Sequence, residues 1–496
     1  MNDRGKSDGS VVPMKPPNKA GTPAAEEAEG SDPAKGNPQQ QNASRTQRRN
    51  DAPSALERVR QAAKKDKGVK FTALFHHVTI DRLRQSFNAL SKNAAAGVDG
   101  VTWQQYAQGL EENLGDLHAR LQRGTYRAKA SRRVYIPKTD GRQRPLGIAS
   151  LEDKVVQRAV VEVLNAIYET DFLGFSYGFR PKRSQHDALD AVAVGILRKR
   201  VNWVLDADIR GYYDTIDHEW LAKFLEHRIG DKRILRLIQK WLSAGVMEKD
   251  RWAPSEQGAP QGATISPLLA NVYLHYVFDL WVQQWRKRNA RGEMIVVRYA
   301  DDLLLGFEHH EDAERFMREL KERFQKFALE LHPDKTRLIE FGRYAVERRA
   351  RVGLGKPKTF DFLGFTHVCG KARSGNYLLV RRTMRKRMQA KLVEVKTEIM
   401  RRRHQPIAVQ GKWLASVVRG YLAYHAIPTN TWAIQTFRRE VVRRWHKVLR
   451  RRSQRDRTNW RRMNTLARRW IPVALVQHPW PTERFDVKTR GGSRVR

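Results

Sequence analysis

Residues 294–307 constrain the fold more than any other stretch. Met294-Ile295-Val296-Val297 and Leu303-Leu304-Leu305 are short aliphatic runs separated by Arg298-Tyr299-Ala300-Asp301-Asp302. Two runs of strand length around a polar break read as a β-hairpin with Ala300-Asp301-Asp302 at or near its turn. Adjacent carboxylates repel one another and lose hydration when enclosed, so they sit comfortably beside a cleft when a cation lies between them. Hard oxygen donors at a hairpin tip suit Mg2+. A solvated Asp-Asp turn is the simpler alternative, so the hairpin alone nominates a nucleotidyl-transfer site without establishing one.

Composition narrows the partners. The 496 residues can hold two to four domains, each with its own core. Lys and Arg number 94 against 53 Asp and Glu, a formal net charge of +41. A field of that size implies a polyanionic partner, and nucleic acid is the usual one. A membrane is the competing polyanion, but no apolar run approaches the ~20 residues of a span. The single cysteine, Cys369, excludes an internal disulfide framework and a Cys-rich zinc module, and it fits a reducing compartment. The opening MNDRGKSDGS lacks the basic-then-apolar pattern of a secretion signal. The expected location is cytoplasmic and nucleic-acid associated.

The chain divides by composition into four parts. Residues 1–52 are rich in Gly, Pro, Ala, Asn, Gln and Ser and read as a disordered N-terminal arm. Residues 53–370 form the next part, in which strands and helices alternate between about 130 and 370 and suggest an α+β or α/β body. Leu56, Val59 and Ala63, then Ile80, Leu83, Phe87 and Leu90, recur at helical spacing, and Asn93 to Gly100 is a loop. Arg133–Pro137 is a strand followed by a hairpin-type turn signal at Asp140-Gly141. Asp153–Tyr168 is a helix with Val156, Val160, Val163 and Ile167 on one stripe, and Trp203–Ile209 is a buried strand with two carboxylates near its end. Glu311–Leu329 is an amphipathic helix carrying Phe316, Leu320, Phe324 and Phe327.

After Cys369 the chemistry changes. Residues 371–496 hold 33 Lys plus Arg against 6 Asp plus Glu, a net +27. Trp413, Tyr421, Tyr424, Trp432, Trp445, Trp460, Trp470 and Trp480 are interleaved among them. One-signed, Arg-heavy sequence with aromatics reads as a surface for phosphates and bases. A family resemblance, carried by the motifs below, implies its division into a helical RNA-binding thumb, 371–452, and a basic DNA- or RNA-binding segment, 453–496.

Two-metal phosphoryl transfer needs carboxylates from separate segments to converge on ions ~3.5–4 Å apart. Asp208, ending one strand, and Asp301, at the hairpin tip, are a candidate pair, with Asp302 as an auxiliary ligand. Asp206 lies two residues before Asp208 and therefore on the same strand face, so the residues alone leave it as a rival.

The order of motifs around these carboxylates resembles a known family. Leu205-Asp-Ala-Asp208-Ile-Arg-Gly-Tyr-Tyr213-Asp-Thr-Ile-Asp-His218 is similar to the first palm motif of reverse transcriptases. Gly258-Ala-Pro-Gln261-Gly262-Ala-Thr-Ile-Ser266-Pro267-Leu-Leu-Ala-Asn271 is similar to their nucleotide-positioning motif, and Tyr299-Ala-Asp-Asp302 to their third. Asn93 to Gly100, Tyr135-Ile-Pro-Lys138 to Arg144-Pro-Leu-Gly147, and Ser176-Tyr-Gly-Phe-Arg-Pro-Lys-Arg-Ser-Gln-His-Asp187 add earlier blocks. Leu331-His-Pro-Asp-Lys335-Thr, Phe360-Asp-Phe-Leu-Gly-Phe365 and Gly420-Tyr-Leu-Ala-Tyr424-His425 to Asn430 add later ones. The set, spanning roughly residues 54–485, resembles group II intron-encoded reverse transcriptases (maturases).

That resemblance implies a right-hand polymerase of fingers and palm, followed by an α-helical thumb and a basic tail. It picks Asp208 over Asp206 as the metal ligand, adds the Ile209 carbonyl, and makes Asp301 and Asp302 the other carboxylates around two Mg2+ ions. Tyr213 takes the place of an aromatic steric gate against a ribose 2′-hydroxyl. Lys138 and Arg144 match residues that clamp the triphosphate, Gln261 and Gly262 match residues that position the nucleotide, and Lys335 is a candidate proton donor. The implied activity is RNA-directed DNA synthesis from dNTPs on a primer-template. Binding of the parent intron RNA for splicing and mobility goes with it.

Two departures stand out. The Cys/His-rich endonuclease that ends many family members is not expected here, so the DNA primer would come from elsewhere. Ile148-Ala149-Ser150 also replaces an Ile-Pro-Thr-like sequence. The alternatives are a splicing factor on an inactive polymerase scaffold and a domesticated defence or diversity-generating reverse transcriptase.

Overall fold

The computed structural model describes residues 54–137, 143–249, 251–453 and 458–489. The expected arm at 1–52, the Asp140-Gly141 turn and Lys138 lie outside the described residues. The chain starts with helices whose ends are written in the sequence: the Ser54 hydroxyl caps Ala55–Lys65 and Thr79 caps Ile80–Asn88. Asn93 to Gly100 is the expected loop. Strands β1 (Ser131–Pro137) and β2 (Gln143–Ile148) then pair antiparallel, with Ile136 opposite Arg144.

The helix expected over 153–168 runs from Leu151 to Asp171, capped by Ser150, with Val155, Val156, Val160, Val163 and Ile167 fully buried. After the Gln185–Arg198 helix come β3 (Trp203–Asp208), β4 (Val246–Glu248) and β5 (Arg251–Ala253). β4 and β5 extend the first hairpin into a sheet ordered β2-β1-β4-β5. β3 joins β6 (Met294–Tyr299), β7 (Asp302–Phe307) and β8 (Arg337–Glu340) in a second, antiparallel sheet ordered β6-β7-β3-β8. A third sheet, ordered β11-β10-β9, is formed by β9 (Phe360–Phe362), β10 (Phe365–Lys371) and β11 (Tyr377–Thr383). The expected boundary at residue 370 falls inside the β10–β11 hairpin. The helix expected over 311–329 spans His310–Gln325, and Ala328 then turns the chain at φ 54°.

The second sheet explains why its strands are continuously aliphatic rather than alternating. Successive side chains of a strand point to opposite faces, and both faces are covered. Val296, Leu303, Leu305, Phe307, Leu205 and Ala207 enter a large helical core. Ile295, Val297, Leu304, Val204 and Ile339 enter a second core shared with the Gln185–Arg198 helix and the third sheet.

From Arg385 the chain is mostly helical, with Arg385–Arg401, Ile407–His425, Thr431–Arg450 and Trp460–Trp470 packed around a third core. The interleaved aromatics are divided between core and surface. Trp445 is fully buried and donates to Gln410 Oε1 at 2.9 Å, Tyr421 stacks on Phe437, and Tyr424 donates to the Leu363 carbonyl. Trp432, Trp460 and Trp480 stay exposed. Helices this rich in arginine need large apolar side chains to close a core, and the aromatics supply them.

The last described helix, Pro481–Thr489, returns to the Gln185–Arg198 helix. There the carboxylate of Asp190 is held between the guanidinium groups of Arg381 and Arg484, and Asp486 accepts two hydrogen bonds from Arg198 at 2.8 and 2.6 Å.

Candidate active site

The β6–β7 hairpin closes through a two-residue turn, Ala300-Asp301, with Tyr299 opposite Asp302. Ala300 has φ 55°, a left-handed conformation that a non-glycine residue adopts when its surroundings hold it there. Gly178 is one of those surroundings: a Cβ at that position would lie 2.3 Å from the Ala300 amide nitrogen. On the neighbouring strand Asp208 stands directly opposite Asp302, and cross-strand partners share a face. Asp208 and Asp302 are buried and Asp301 is part-exposed. Enclosure by protein, then the charges of Asp302 and Asp208, hold the Asp301 carboxyl well above the usual carboxylate range, while Arg144 pulls it down. The three carboxylates and Arg144 therefore share one electrostatic neighbourhood, although Arg144 lies on the first sheet.

Cations balance the rest. Lys335 Nζ is 2.9 Å from Asp208 Oδ2, so the structure places this lysine on the carboxylate. The segment carrying it is tied to the end of β3: His332 N donates to the Asp208 carbonyl at 2.8 Å, and Ile209 pairs with Leu331. Asp206, fully buried, lies one step deeper on the same face and pairs with Arg337 at 3.4 Å.

Tyr213 lies in a short turn beyond Gly211, part-buried, its ring edge-on to Tyr212. Burial first, then the charge of Asp301 and the neighbouring Tyr299, push its hydroxyl pKa up. Gln261 lies at the margin, its side-chain Nε2 donating to Asp214 Oδ1 at 3.4 Å and its backbone carbonyl accepting from Gly147 N at 2.6 Å. Gly262 has φ 105°, and a Cβ there would be 2.8 Å from the Gly147 carbonyl oxygen. The close approach this glycine permits is thus to β2, locking the loop after Gly258 against the first sheet.

Among the described residues no three His, Cys, Asp or Glu side chains form a ready metal cage. The donors present are hard oxygens only. Such a set suits a hydrated hard cation that takes further oxygens from substrate phosphates.

Residues 136–367 match a family described as "Reverse transcriptase (RNA-dependent DNA polymerase)". Protein YkfC of Escherichia coli K12 is 37% identical over 239 residues, covering 42% of this chain and 62% of that protein. The group II intron-encoded protein LtrA of Lactococcus lactis is 34% identical over 292 residues, covering 57% of this chain and 47% of that protein. Over residues 136–367 the chain is similar to reverse transcriptases, and over a longer stretch to a group II intron-encoded protein. An uncharacterised 91 kDa protein in the cob intron of Schizosaccharomyces pombe adds 43% identity over 144 residues. The chain spans about half to three-fifths of the length of the curated relatives LtrA and YkfC.

Within this reverse transcriptase domain the structure brings together Asp208, Asp301, Asp302, Tyr213 and Lys335, with Arg144 within electrostatic reach. Gln261 and Gly262 join the loop to β2. Sequence reasoning did not single out Gly178 as a support for the turn. The signal was its place in Ser176-Tyr-Gly-Phe-Arg, beside residues that extend β6 through Tyr177 N to Arg298 O at 2.8 Å.

Proposed function

We propose that this chain is an RNA-directed DNA polymerase encoded by a group II intron, and that it binds its parent intron RNA to assist splicing and mobility. The observation that carries this reading is the meeting of Asp208, Asp301 and Asp302 at one end of an antiparallel sheet, inside the segment that matches reverse transcriptases. The second sheet would be the palm, the first sheet with its flanking helices the fingers, and the helices from Arg385 the thumb.

Asp208, Asp301, Asp302 and the Ile209 carbonyl would hold two Mg2+ ions, with substrate phosphates completing the shells. Bound there, Mg2+ supplies charge neutralisation for the attacking 3′-hydroxyl and the departing pyrophosphate. The chain's own groups do the rest. Lys335, 2.9 Å from Asp208 Oδ2, would lie beside the triphosphate and serve as its proton donor. Arg144 and Lys138 pair with phosphate oxygens, and Gln261 and Gly262 shape the base-pair pocket. The reaction joins the primer 3′-oxygen to the α-phosphorus of a dNTP and breaks its bond to pyrophosphate. Among the described residues no helix is long and apolar enough to cross a membrane.

Primer extension by the full chain on an RNA template with Mg2+ and labelled dNTPs tests the reading; no incorporation by the wild type overturns it. Tyr213→Ala is expected to raise the ratio of ribo- to deoxynucleotide incorporation at least about tenfold, by removing the ring that meets a 2′-hydroxyl. An unchanged ratio would remove Tyr213 from sugar selection. Binding to intron RNA should weaken by ~10³-fold between ~50 and ~200 mM salt if about six phosphates are contacted. Filter binding across that range checks it, and a flat salt dependence would count against the basic surface.

A further inference from the structure

The Ala300-Asp301 turn is held from inside the protein by a charged network that catalysis does not otherwise use. Arg298, the residue before Tyr299, is fully buried. Its guanidinium forms a two-pronged pair with the fully buried carboxylate of Asp279, Nε to Oδ1 at 2.7 Å and Nη2 to Oδ2 at 2.6 Å. Its remaining arm, Nη1, donates to Asn271 Oδ1 at 2.9 Å and to the carbonyl of Ala300 at 3.2 Å. Asn271 in turn donates to the carbonyl of Gly178 at 2.8 Å, and Gly178 is the residue pressed against the Ala300 amide.

The turn is therefore gripped on two sides, at the Ala300 carbonyl by Arg298 and at the Ala300 amide by the Gly178 backbone, and Asn271 joins the two grips. Asp279 reaches this place from the last residue of a π-helical turn, His275–Asp279, that continues the Ser266–Leu274 helix. A widened turn rotates the following residues relative to a regular helix, and such turns are frequent at functional sites. A buried ion pair is a weak source of stability, because desolvation offsets its attraction. A left-handed alanine also costs energy. Both costs fall on the support of one turn, the strain at Ala300 and the ion pair on the Arg298 that donates to its carbonyl.

We infer that Arg298, Asp279 and Asn271 are positioning residues, which hold the left-handed Ala300 and so aim Asp301 at the divalent-metal site. This rests on the polymerase reading for the metal's role, but its test does not depend on turnover. Mn2+ replaces Mg2+ as a probe read by electron paramagnetic resonance on the full chain with primer-template bound. Asn271→Ala removes the link between the two grips and leaves the ion pair. It is expected to raise the Mn2+ dissociation constant about tenfold, the loss typical of a group that orients a metal ligand. kcat falls with it, while KM for dNTP and primer-template affinity stay within about twofold of wild type.

The double variant Arg298→Met, Asp279→Leu separates positioning from stability. Replacing a buried ion pair by apolar side chains of similar size is often neutral for folding, so the thermal midpoint is expected near wild type while Mn2+ affinity falls as in Asn271→Ala. A folded double variant with wild-type Mn2+ affinity overturns the inference. If that variant does not fold, wild-type Mn2+ affinity in Asn271→Ala overturns it. A wild-type chain that binds Mn2+ but incorporates no dNTP sinks the polymerase reading and leaves the positioning result to be read from the metal.

Discussion

Asparagine in place of Asp208 is expected to bring RNA-templated dNTP incorporation down by ~10³-fold or more with primer-template binding retained, because an amide cannot supply the charge that holds two cations at the transferring phosphate. Asp301→Asn should match it, since the two carboxylates share one electrostatic neighbourhood and neither replaces the other. Asp206→Asn is the informative control. Its carboxylate is one step deeper on β3, fully buried, and paired with Arg337, so its loss should cost no more than about tenfold, through packing and the orientation of β3. Single-turnover primer extension on saturating template measures all three. If Asp206→Asn fell to background and Asp208→Asn stayed near wild type, the metal pair would have to be reassigned. The Asp208 variant should remain folded, because its partner Lys335 is part-exposed and can turn its ammonium to water.

Asp190→Asn is expected to be the most destabilising single change on the face opposite the large helical core, by ~3–5 kcal/mol. The Asp190 side chain is 1% exposed and that of Arg381 2%, so removing the negative charge leaves a guanidinium with neither water nor an anion. Burial already lowers the Arg381 pKa, and Asp190 is the first counterweight to that effect. Arg484, on the last described helix, is less enclosed and can reach solvent when released. The measurable signs are a lower urea midpoint and faster hydrogen exchange in the Gln185–Arg198 helix. Asp190→Leu combined with Arg381→Met should recover most of the loss, since it removes both members of the deeply buried pair. Equal stability of Asp190→Asn and wild type would show that the charge is not needed there.

Much of the fold was legible because it rests on short-range pattern. The aliphatic runs around Ala300-Asp301-Asp302 are strands that pair across that turn, and the valine stripe of residues 156–167 is a helix. The continuous apolar sequence of β7 is explained by its two covered faces, which the hairpin pattern by itself did not announce. The residues alone left Asp206 and Asp208 as rival candidates and only the resemblance ranked them; in the fold Asp208 stands opposite Asp302, whereas Asp206 pairs with Arg337. What stayed hidden were relations set by tertiary geometry. Nothing local marks Gly178 as the residue beneath Ala300, and no spacing rule links Asp190 to Arg484. The tail aromatics illustrate the limit from the other side. Trp445 and Trp432 look alike in a basic sequence, yet one closes a core and the other faces water, because only packing decides which stripe of the helix turns inward.

The Asp190 clamp also bears on when during synthesis this part of the fold can close. Its two arginines lie 191 and 294 residues downstream of the carboxylate they share. At ~5–20 residues per second, the ribosome needs ~15–60 s after Asp190 before Arg484 is made. Until then the helix against β6 carries a carboxylate whose second counter-charge does not yet exist. A nascent chain still attached near residue 400 has every proposed catalytic carboxylate but lacks one side of the support behind them. The clamp on Asp190 therefore closes only after Arg484 has been made, long after the helix that carries the carboxylate.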